Sequence, residues 1–300
     1  MLLSRLNPRI EVIWRIHIRP AAKVAFLELM SHLPLGIRRR IYFLTKHRRF
    51  LRLSQPRSFS EKVNWRMVND RRAIIGQTCD KLRSKTFAAE RAVDTVQTFW
   101  SGTDLTELKH LKLPQHWVLK PNHRSGLVYL GTGAPDVDRL SSLTAGWLGE
   151  QLWSTAGEWA YSQADRCLIL EQRLGNPGED LPDYKFFVFS GRVELIQVDT
   201  ERMVNHKRRL YSRDWEPYNV RLNYPIGPTG ARPKNLDVMI ETAQRLGSDF
   251  DFVRVDLYDF DDKIWFGELT PYPGGGGERF VPYFLDEVLG RTWQLPNLHS

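Results

Sequence analysis

Two carboxylates on neighbouring apolar segments have the clearest capacity for chemistry. Asp256 and Glu268 belong to RVDLYDFDDKIWFGELT, residues 254–270, where two strand-like runs are joined by the acidic turn 259–262. The short connection makes the runs neighbours, so both side chains can point the same way. A carboxylate among apolar residues is costly to bury unless something pairs with it. Mg²⁺ would do so, since it is usually held by one or two carboxylates together with substrate phosphates.

Arg254 leaves a second interpretation of this hairpin open. It lies two residues before Asp256, so an extended strand places both side chains on one face. An Arg–carboxylate pair, or a solvated strand face, is therefore the alternative to a metal site.

Two further charged residues stand at the ends of apolar strands. Lys120 ends WVLK and precedes a polar loop that contains Ser125 and Gly126. A lysine there can reach phosphate oxygens and loop amides can cradle them, although the GxxxxGK[ST] spacing of a P-loop is absent. Glu171 ends the run 167–170 before a Gly- and Pro-rich loop, which suits a hinge between lobes. For both residues the alternative is a strand end in solvent.

The elements that must position these residues mix helices with hairpins. The patterns predict helices over 21–52 (broken at Pro34–Gly36), 58–69, 80–91, 138–153, 235–246 and a last one ending at Leu289. They predict strands over 117–120, 167–170, 184–189, 192–198, 252–258 and 263–268. Hairpins without regular βα alternation indicate an α+β fold.

The composition narrows the class of protein. The 300 residues are 42% hydrophobic and 26% charged, which suits one large domain or two modest ones and excludes wholesale disorder. Two cysteines, Cys79 and Cys167, exclude a disulfide framework and favour a reducing compartment. The chain has no apolar run long enough to span a membrane, and its first 20 residues are too charged for a signal peptide. We therefore expect a cytoplasmic protein.

Positive charge is concentrated at the N-terminus. Residues 1–60 carry 13 Lys/Arg and 2 Asp/Glu, whereas the rest carry 30 and 33. Basic and aromatic residues interleave over 38–52, which suits a solvated helical face packed by its aromatic residues or contact with an anionic membrane. No nucleic-acid-binding motif is present, so no nucleic-acid partner is expected. A second basic run, 206–209, suits either an anionic substrate or an exposed loop.

Taken in order, these motifs resemble the TupA-like family of the ATP-grasp superfamily, which is associated with bacterial surface polysaccharides. The similar stretches are SFSEKVNWRM (58–67), DKL (80–82), LPQHWVLKPNHRSG (113–126), PDYKFFVFSG (182–191), FDFVRVDLY (250–258) and FGELTPYPGG (266–275). The resemblance implies an ATP-grasp fold with ATP held between two α+β lobes. The expected division is a basic helical segment over 1–55, an N-lobe over 56–170 and a C-lobe over 171–300.

The resemblance also implies a role for each matched residue. Lys81, Lys120, Ser125, Gly126, Glu171 and Asp183 are expected near the nucleotide, with Glu171 at the hinge beside adenine or ribose. Arg254, Lys185 and Arg202 are expected at the reacting centre. Asp256, Glu268 and Thr270 are expected to bind magnesium, and Thr270 stands where the superfamily usually has an asparagine.

The implied activity is an ATP-dependent carboxylate–amine ligase acting through an acyl phosphate. Its expected substrates are an acidic surface polysaccharide, or a precursor with a sugar carboxylate, and an amine or amino acid. Its expected cofactors are ATP and Mg²⁺, and its place is the cytoplasm, at the inner face of the membrane if residues 1–55 bind anionic lipid. The alternatives are a glycosyltransferase of polysaccharide biosynthesis, an ATP-grasp kinase, and a non-catalytic nucleotide-binding subunit.

Overall fold

The computed structural model describes residues 32–149, 156–175, 178, 181–202 and 204–298. The helices are α1 (Leu35–His47), α2 (Phe59–Asn69), α3 (Ala73–Thr78), α4 (Lys81–Ala89), α5 (Val137–Leu143), α6 (Leu236–Gly247) and α7 (Phe284–Thr292). The strands are β1 (Asp94–Thr95), β2 (Thr98–Gly102), β3 (His116–Pro121), β4 (Tyr129–Thr132), β5 (Leu168–Gln172), β6 (Asp183–Phe189), β7 (Arg192–Thr200), β8 (Lys207–Tyr211), β9 (Pro217–Tyr218), β10 (Arg221–Leu222), β11 (Phe252–Phe260), β12 (Lys263–Thr270) and β13 (Phe280–Val281). Short 3₁₀ turns cover Leu105–His110, Trp159–Gln163 and Pro273–Gly276.

Local sequence signals set the starts of two helices near the site. The predicted capping box is present before α2, where the Ser58 hydroxyl accepts from the amide of Glu61 and the Glu61 carboxylate accepts from the amide of Ser58. The carboxylate of Asp80 accepts from the amide of Arg83 and begins α4. The Asp80 cap therefore places Lys81 on the first turn of α4.

A small antiparallel sheet carries the predicted phosphate loop. Its strand order is β2-β5-β3-β4. Trp117 of β3 lies across Gly131 of β4, where an added Cβ would come within 2.2 Å of the indole ring. Only glycine leaves room for the indole, and that packing holds the two strands beside each other. The loop 122–128 connects these strands, so its base is fixed by the sheet.

A larger sheet carries the predicted metal-binding hairpin. Its strand order is β1-β12-β11-β6-β7-β8-β9, and all pairs are antiparallel except β1 with β12. The predicted hairpin of 184–198 is confirmed as β6 and β7, which turn at Ser190 and Gly191, both with positive φ. The mixture of antiparallel sheets and helices confirms the α+β class.

The main core covers both faces of the large sheet. Phe59, Val63 and Met67 of α2 pack with Phe187 and Phe252 of β6 and β11. Residues of the small sheet form a separate core around Trp117 and Leu119. Phe187 and Phe252 lie two residues from Lys185 and Arg254 along β6 and β11, so the charged residues share the face of the large sheet on which α2 packs. The opposite face is apolar and packs against α6.

Two predicted helices end earlier than their patterns suggested. The helix of the N-terminal segment ends at His47, because Arg48 adopts a left-handed conformation with φ of 61°. The helix expected over 138–153 is α5, which ends at Leu143, and turns follow. Residues 1–31 and 150–155 lie outside the described part of the chain.

The predicted lobes, 56–170 and 171–300, stay a prediction. β5 carries the small sheet on to Gln172, past the expected boundary, and α2 belongs to the core of the large sheet. The packing of α2 on this core joins residues far apart along the chain, so local sequence patterns could not predict it. Within the described ranges, no helix is long and apolar enough to cross a membrane.

Candidate functional site

The register of the large sheet brings five predicted residues onto one polar face. Asp256 of β11 lies opposite Glu268 of β12 on one side and opposite Lys185 of β6 on the other. Asp183 and Arg254 lie two residues along their strands and so point to the same side. With Arg202 and Thr270, which contact them, these residues form what we call the carboxylate cluster.

Arg254 is the centre of the carboxylate cluster. Its Nε and Nη2 atoms donate to the two oxygens of Asp256 at 2.7 and 2.8 Å. Nη2 also donates to Glu268 Oε1 at 2.8 Å and to Thr270 Oγ1 at 3.0 Å, and the threonine hydroxyl donates to the same glutamate oxygen at 2.7 Å. The Arg–carboxylate pair that the sequence left open as an alternative is thus present.

Lys185 links the two aspartates of the cluster. Its Nζ donates to Asp183 Oδ2 at 2.5 Å and to Asp256 Oδ2 at 2.6 Å. Arg202 Nη1 donates to the same Asp183 oxygen at 2.6 Å. Burial would lower the pKa of Lys185, but the two aspartates outweigh it and raise that pKa. Lys185 therefore stays protonated and belongs to a closed network of charges.

The two predicted metal carboxylates have different environments. Burial raises the pKa of Asp256 to about 6, against the opposing charges of Arg254 and Lys185. Burial acts in the same direction on Glu268, but Arg254, Lys185 and the Thr270 hydroxyl outweigh it and lower its pKa to about 2. The side chain of Asp256 is 3% exposed and that of Glu268 is 45% exposed. Glu268 is therefore the more accessible of the two carboxylates.

These environments decide how well a magnesium ion fits. Among the described residues, no group of three or more His, Cys, Asp or Glu is arranged to hold a metal. Glu268 and Thr270 fit as accessible oxygen ligands for an ion that also binds nucleotide phosphates. Asp256 does not fit in its present pairing, since both its oxygens are bonded to cations. It would have to release Lys185 or Arg254 to become a ligand.

A second cluster, the lysine cluster, is formed by Lys85, Lys120 and Glu171 on α4 and the small sheet. Lys120 Nζ bonds to Glu171 Oε1, and Lys85 Nζ bonds to Oε2 at 3.3 Å and to Thr98 Oγ1 at 2.7 Å. Burial would raise the pKa of Glu171, but the two lysines lower it. Glu171 is bonded to these lysines, and its predicted place at the hinge beside adenine or ribose stays a prediction. Lys85 was missed, because one lysine in a helix carries no distinguishing pattern.

Lys81 holds the predicted phosphate loop. Its Nζ donates to the backbone carbonyls of Asn122 and Arg124 at 2.9 and 2.5 Å. Burial first, and then the charge of Lys120, lower the pKa of Lys81 to about 8, while Glu268 and Glu171 act in the opposite direction. Lys81 therefore lies within electrostatic reach of both clusters. In this arrangement it binds the loop.

The tip of the loop is open to solvent. Ser125 and Gly126 are both exposed, and Gly126 has a φ of 77°. Arg124 Nη1 donates to the carbonyl of Gly146 at 2.9 Å, so the base of the loop is tied down on a second side. The structure thus leaves the amides at the tip available to a ligand, on a base that Lys81 and Arg124 hold.

A glycine loop beyond β12 is held by residues that the sequence did not indicate. Gly274, Gly275 and Gly276 all have positive φ. Buried Arg39 of α1 donates from Nη2 to the carbonyl of Gly275 at 2.6 Å, and from Nε to Asn64 Oδ1 at 2.8 Å. The Asn64 amide donates in turn to the carbonyl of Gly276 at 2.9 Å. Residues 39, 43 and 47 are buried at a spacing of four, and this spacing is the sequence signal that could have identified the inner face of α1.

His47 completes that contact. Its Nε2 lies 3.1 Å from the carbonyl of Gly276, and, because a carbonyl only accepts, the ring must donate from Nε2. Burial lowers the pKa of His47 to about 4, although the Gly276 carbonyl raises it, so the ring is neutral at pH 7. The described part of the basic N-terminal segment is therefore built into the loop that follows the metal-binding strand.

The second basic run is neither a free anion site nor an exposed loop. Arg208 lies on β8 and is 6% exposed. Its Nε and Nη2 donate to Asp199 at 2.6 and 3.0 Å, and Nη1 donates to Glu278 at 2.7 Å. Burial would raise the pKa of Asp199, but hydrogen bonds from His206 and Arg208 hold it well below its usual range. This ion-pair network extends the polar face of the large sheet to β8.

The order of these elements and the two clusters agree with a family comparison. A model of the family described as TupA-like ATPgrasp matches residues 61–294. The chain belongs to the TupA-like ATP-grasp family, and its fold is that of the ATP-grasp superfamily. The matched region excludes α1.

The solved structures to which this chain is similar include two ligases. D-alanine–D-alanine ligase from Bacillus anthracis complexed with ATP is 16% identical, with a TM-score of 0.39, and the match covers 66% of this chain and 55% of that one. L-amino acid ligase from Bacillus licheniformis is 13% identical, with a TM-score of 0.43, covering 73% and 48%. The chain thus spans about half the length of these two proteins. No curated protein matches it.

Proposed function

We propose that this protein is an ATP-dependent carboxylate–amine ligase. The observation that carries the proposal is the proximity of two unlike charged clusters: α4 packs against β12, which carries Glu268 and Thr270, and Lys85 of the same helix bonds to Glu171 of the small sheet. One cluster has lysines beside an exposed loop, and the other has carboxylates and cations around the accessible side chain of Glu268. Phosphoryl chemistry needs such charge stabilisation and positioning more than it needs a protein nucleophile.

The lysine cluster and the loop are proposed to hold the nucleotide. Lys120 is 20% exposed and shares Glu171 with Lys85, so it can turn to a phosphate while Lys85 keeps the glutamate paired. The exposed amides at Ser125 and Gly126 would lie over the phosphates, and Lys81 would keep the loop in place. Magnesium, when bound at Glu268 and Thr270, would neutralise phosphate charge there.

The carboxylate cluster is proposed to serve the reacting centre. A substrate carboxylate attacks the γ-phosphorus of ATP, the bond to the bridging oxygen of ADP breaks, and an acyl phosphate forms. An amine then attacks the acyl carbon, inorganic phosphate leaves, and the amine loses a proton. Arg254, Lys185 and Arg202 would stabilise the negative charge that builds up in these steps. Asp183 and Asp256 would hold those cations in position.

The substrate is proposed to be an acidic surface polysaccharide or its precursor, with an amine or amino acid as the second substrate. The family resemblance supports the polysaccharide. The same site would serve a kinase if the acceptor were a hydroxyl. A glycosyltransferase would instead bind a nucleotide sugar.

Thermal stability in the presence of ligands tests the nucleotide site first. A ligand that binds only the folded state raises the melting temperature. We expect Mg-ATP and Mg-ADP to raise it, a UDP-sugar to leave it unchanged, and Glu268→Gln to weaken the Mg-ATP shift. Glu216→Gln, at an exposed position before β9, is the matched control and should keep the full shift. A shift with the UDP-sugar alone would contradict the proposal.

Trapping the intermediate separates ligase from kinase. An acyl phosphate reacts with hydroxylamine to give a hydroxamate, whereas a phosphate ester on a hydroxyl does not. We expect ADP release and hydroxamate formation together when carboxylated sugars are supplied with Mg-ATP. ADP release with a stable phosphorylated sugar and no hydroxamate would identify a kinase.

A further inference from the structure

The outer face of α1 combines exposed apolar and basic side chains. Ile37, Leu44 and Phe50 are 43%, 40% and 83% exposed, although they are large and apolar. Exposed Arg40 and Arg48 lie beside them. Ile37, Arg40 and Leu44 recur at helical spacing and line one stripe of α1, and Arg48 and Phe50 follow directly after the end of the helix. We call these five residues the α1 outer face.

The α1 outer face cannot turn inward, because the opposite face of the helix is fixed. Phe43 is fully buried with Leu51 and Leu53, and its ring stacks on His47 with the centroids 4.1 Å apart. Arg39 is bonded to the carbonyls of Gly275 and Ala156. The exposure of the outer face is therefore a consequence of how the helix packs.

All the charged residues of the segment 32–57, which contains α1, are basic. Residues 32–57 contain eight lysines and arginines and no aspartate or glutamate. Two of the arginines are balanced from the main body, Arg49 by Asp286 at 3.7 Å and Arg52 by Glu61 at 2.8 Å. Exposed Arg40, Lys46 and Arg48 add to a positive surface around the apolar stripe.

We propose that the α1 outer face docks on an anionic lipid bilayer. A bilayer interface accepts apolar side chains into its acyl boundary and attracts lysine and arginine to its headgroups, so it suits both components of this surface. A polyanion in water would use the arginines but would leave Ile37, Leu44 and Phe50 exposed. The proposal does not depend on the ligase activity.

Docking there has a consequence for the candidate site. The inner face of α1 holds the glycine loop that follows β12, through Arg39 and His47. A bilayer bound to the outer face would therefore lie one helix diameter, about 10 Å, from that loop. This arrangement would suit a substrate that is itself attached to lipid.

Sedimentation of the full chain with vesicles tests the proposal without any nucleotide. The vesicles are equal parts phosphatidylglycerol and phosphatidylcholine, compared with pure phosphatidylcholine. The variants are Leu44→Ser with Phe50→Ser, and Arg40→Gln with Arg48→Gln. The matched controls are Val204→Ser with Val238→Ser, which are exposed elsewhere, and Arg192→Gln with Arg221→Gln. Circular dichroism confirms that each variant is folded.

We expect wild type to bind only the anionic vesicles, less strongly as salt is raised. Each α1 pair should reduce partitioning by about tenfold, and the controls should not change it. Unchanged partitioning of both α1 variants would overturn the proposal. If the vesicles bound residues 1–31 in place of the α1 outer face, this is the result that would be seen. Loss in the arginine pair alone would overturn it in favour of a polyanion surface.

Discussion

The lysine cluster and the carboxylate cluster differ in how their charges balance. In the lysine cluster two lysines share one glutamate, so a positive charge is in excess. In the carboxylate cluster Asp183, Asp256 and Glu268 are matched by three cations, Lys185, Arg202 and Arg254. The first can accept phosphate oxygens as it stands. The second can accept a further anion only if a cation comes with it, which a magnesium–nucleotide complex supplies.

The clusters also differ in burial. In the carboxylate cluster Lys185 and Asp256 are nearly inaccessible, whereas Lys120 of the lysine cluster is 20% exposed. Breaking a buried ion pair leaves an uncompensated charge, which costs more than breaking a pair that water can reach. Removing one lysine from each cluster therefore provides the sharpest test of the comparison.

The largest effect is expected for Lys185→Met. It leaves two buried aspartates without the ammonium group that both contact, and we expect it to lower the free energy of unfolding by about 3–5 kcal/mol. Urea denaturation at pH 7 measures the change. Lys120→Met is the matched substitution in the lysine cluster and should cost about 1 kcal/mol, because Lys85 still pairs with Glu171. Equal losses in the two variants would contradict the proposed difference.

A smaller loss of stability is expected for Arg39→Ala. This substitution tests how far the glycine loop beside the carboxylate cluster depends on α1. The substitution leaves the buried oxygens of Asn64 and Gly275 without their donor, and we expect a loss of about 2 kcal/mol. Arg40→Ala, on the next residue but exposed, should change stability by less than about 0.5 kcal/mol. Chemical denaturation of both variants makes the comparison, and similar values for the two would show that Arg39 holds nothing in place.

The smallest effect is expected in the acid dependence of stability. The folded-state pKa of Glu268 is about 2, below its ordinary 4.5, so the unfolded chain binds its proton more tightly. Its stabilising contribution is present above pH 4.5 and is lost as pH falls towards 2. Glu268→Gln should therefore flatten the loss of stability below pH 4.5, by less than about 1 kcal/mol because the side chain is 45% exposed.

Asp256, in the same cluster, is expected to affect the pH dependence of stability in the opposite direction to Glu268. The pKa of Asp256 is raised to about 6, so its contribution has the opposite sign and falls as pH rises from about 4 to 6. Urea midpoints measured from pH 3 to 7 distinguish the two residues. Glu216→Gln is the control, and an acid limb that is equally steep in Glu268→Gln and wild type would contradict the assignment.

Local patterns in the sequence were enough for many elements. The capping box at Ser58 and Glu61, the hairpin of β6 and β7, and the helix α6 are confirmed close to their expected ends. These features depend on residues within a few positions of one another, so neighbouring sequence contains the information. Helix ends that depend on one backbone conformation, such as the one at Arg48, were not predicted.

The sequence by itself determined which residues could do chemistry and, through the family resemblance, in which order they occur. Pairs two residues apart, such as Arg254 with Asp256, could be expected from the sequence, whereas only the tertiary structure decided the partners that lie far apart along the chain. Lys185 reaches Asp256 only because β6 lies beside β11, and Arg39 reaches Gly275 across 236 positions because α1 packs beneath the glycine loop. Sheet order and burial set these pairings, and burial in turn sets the strength and the pKa of each charge.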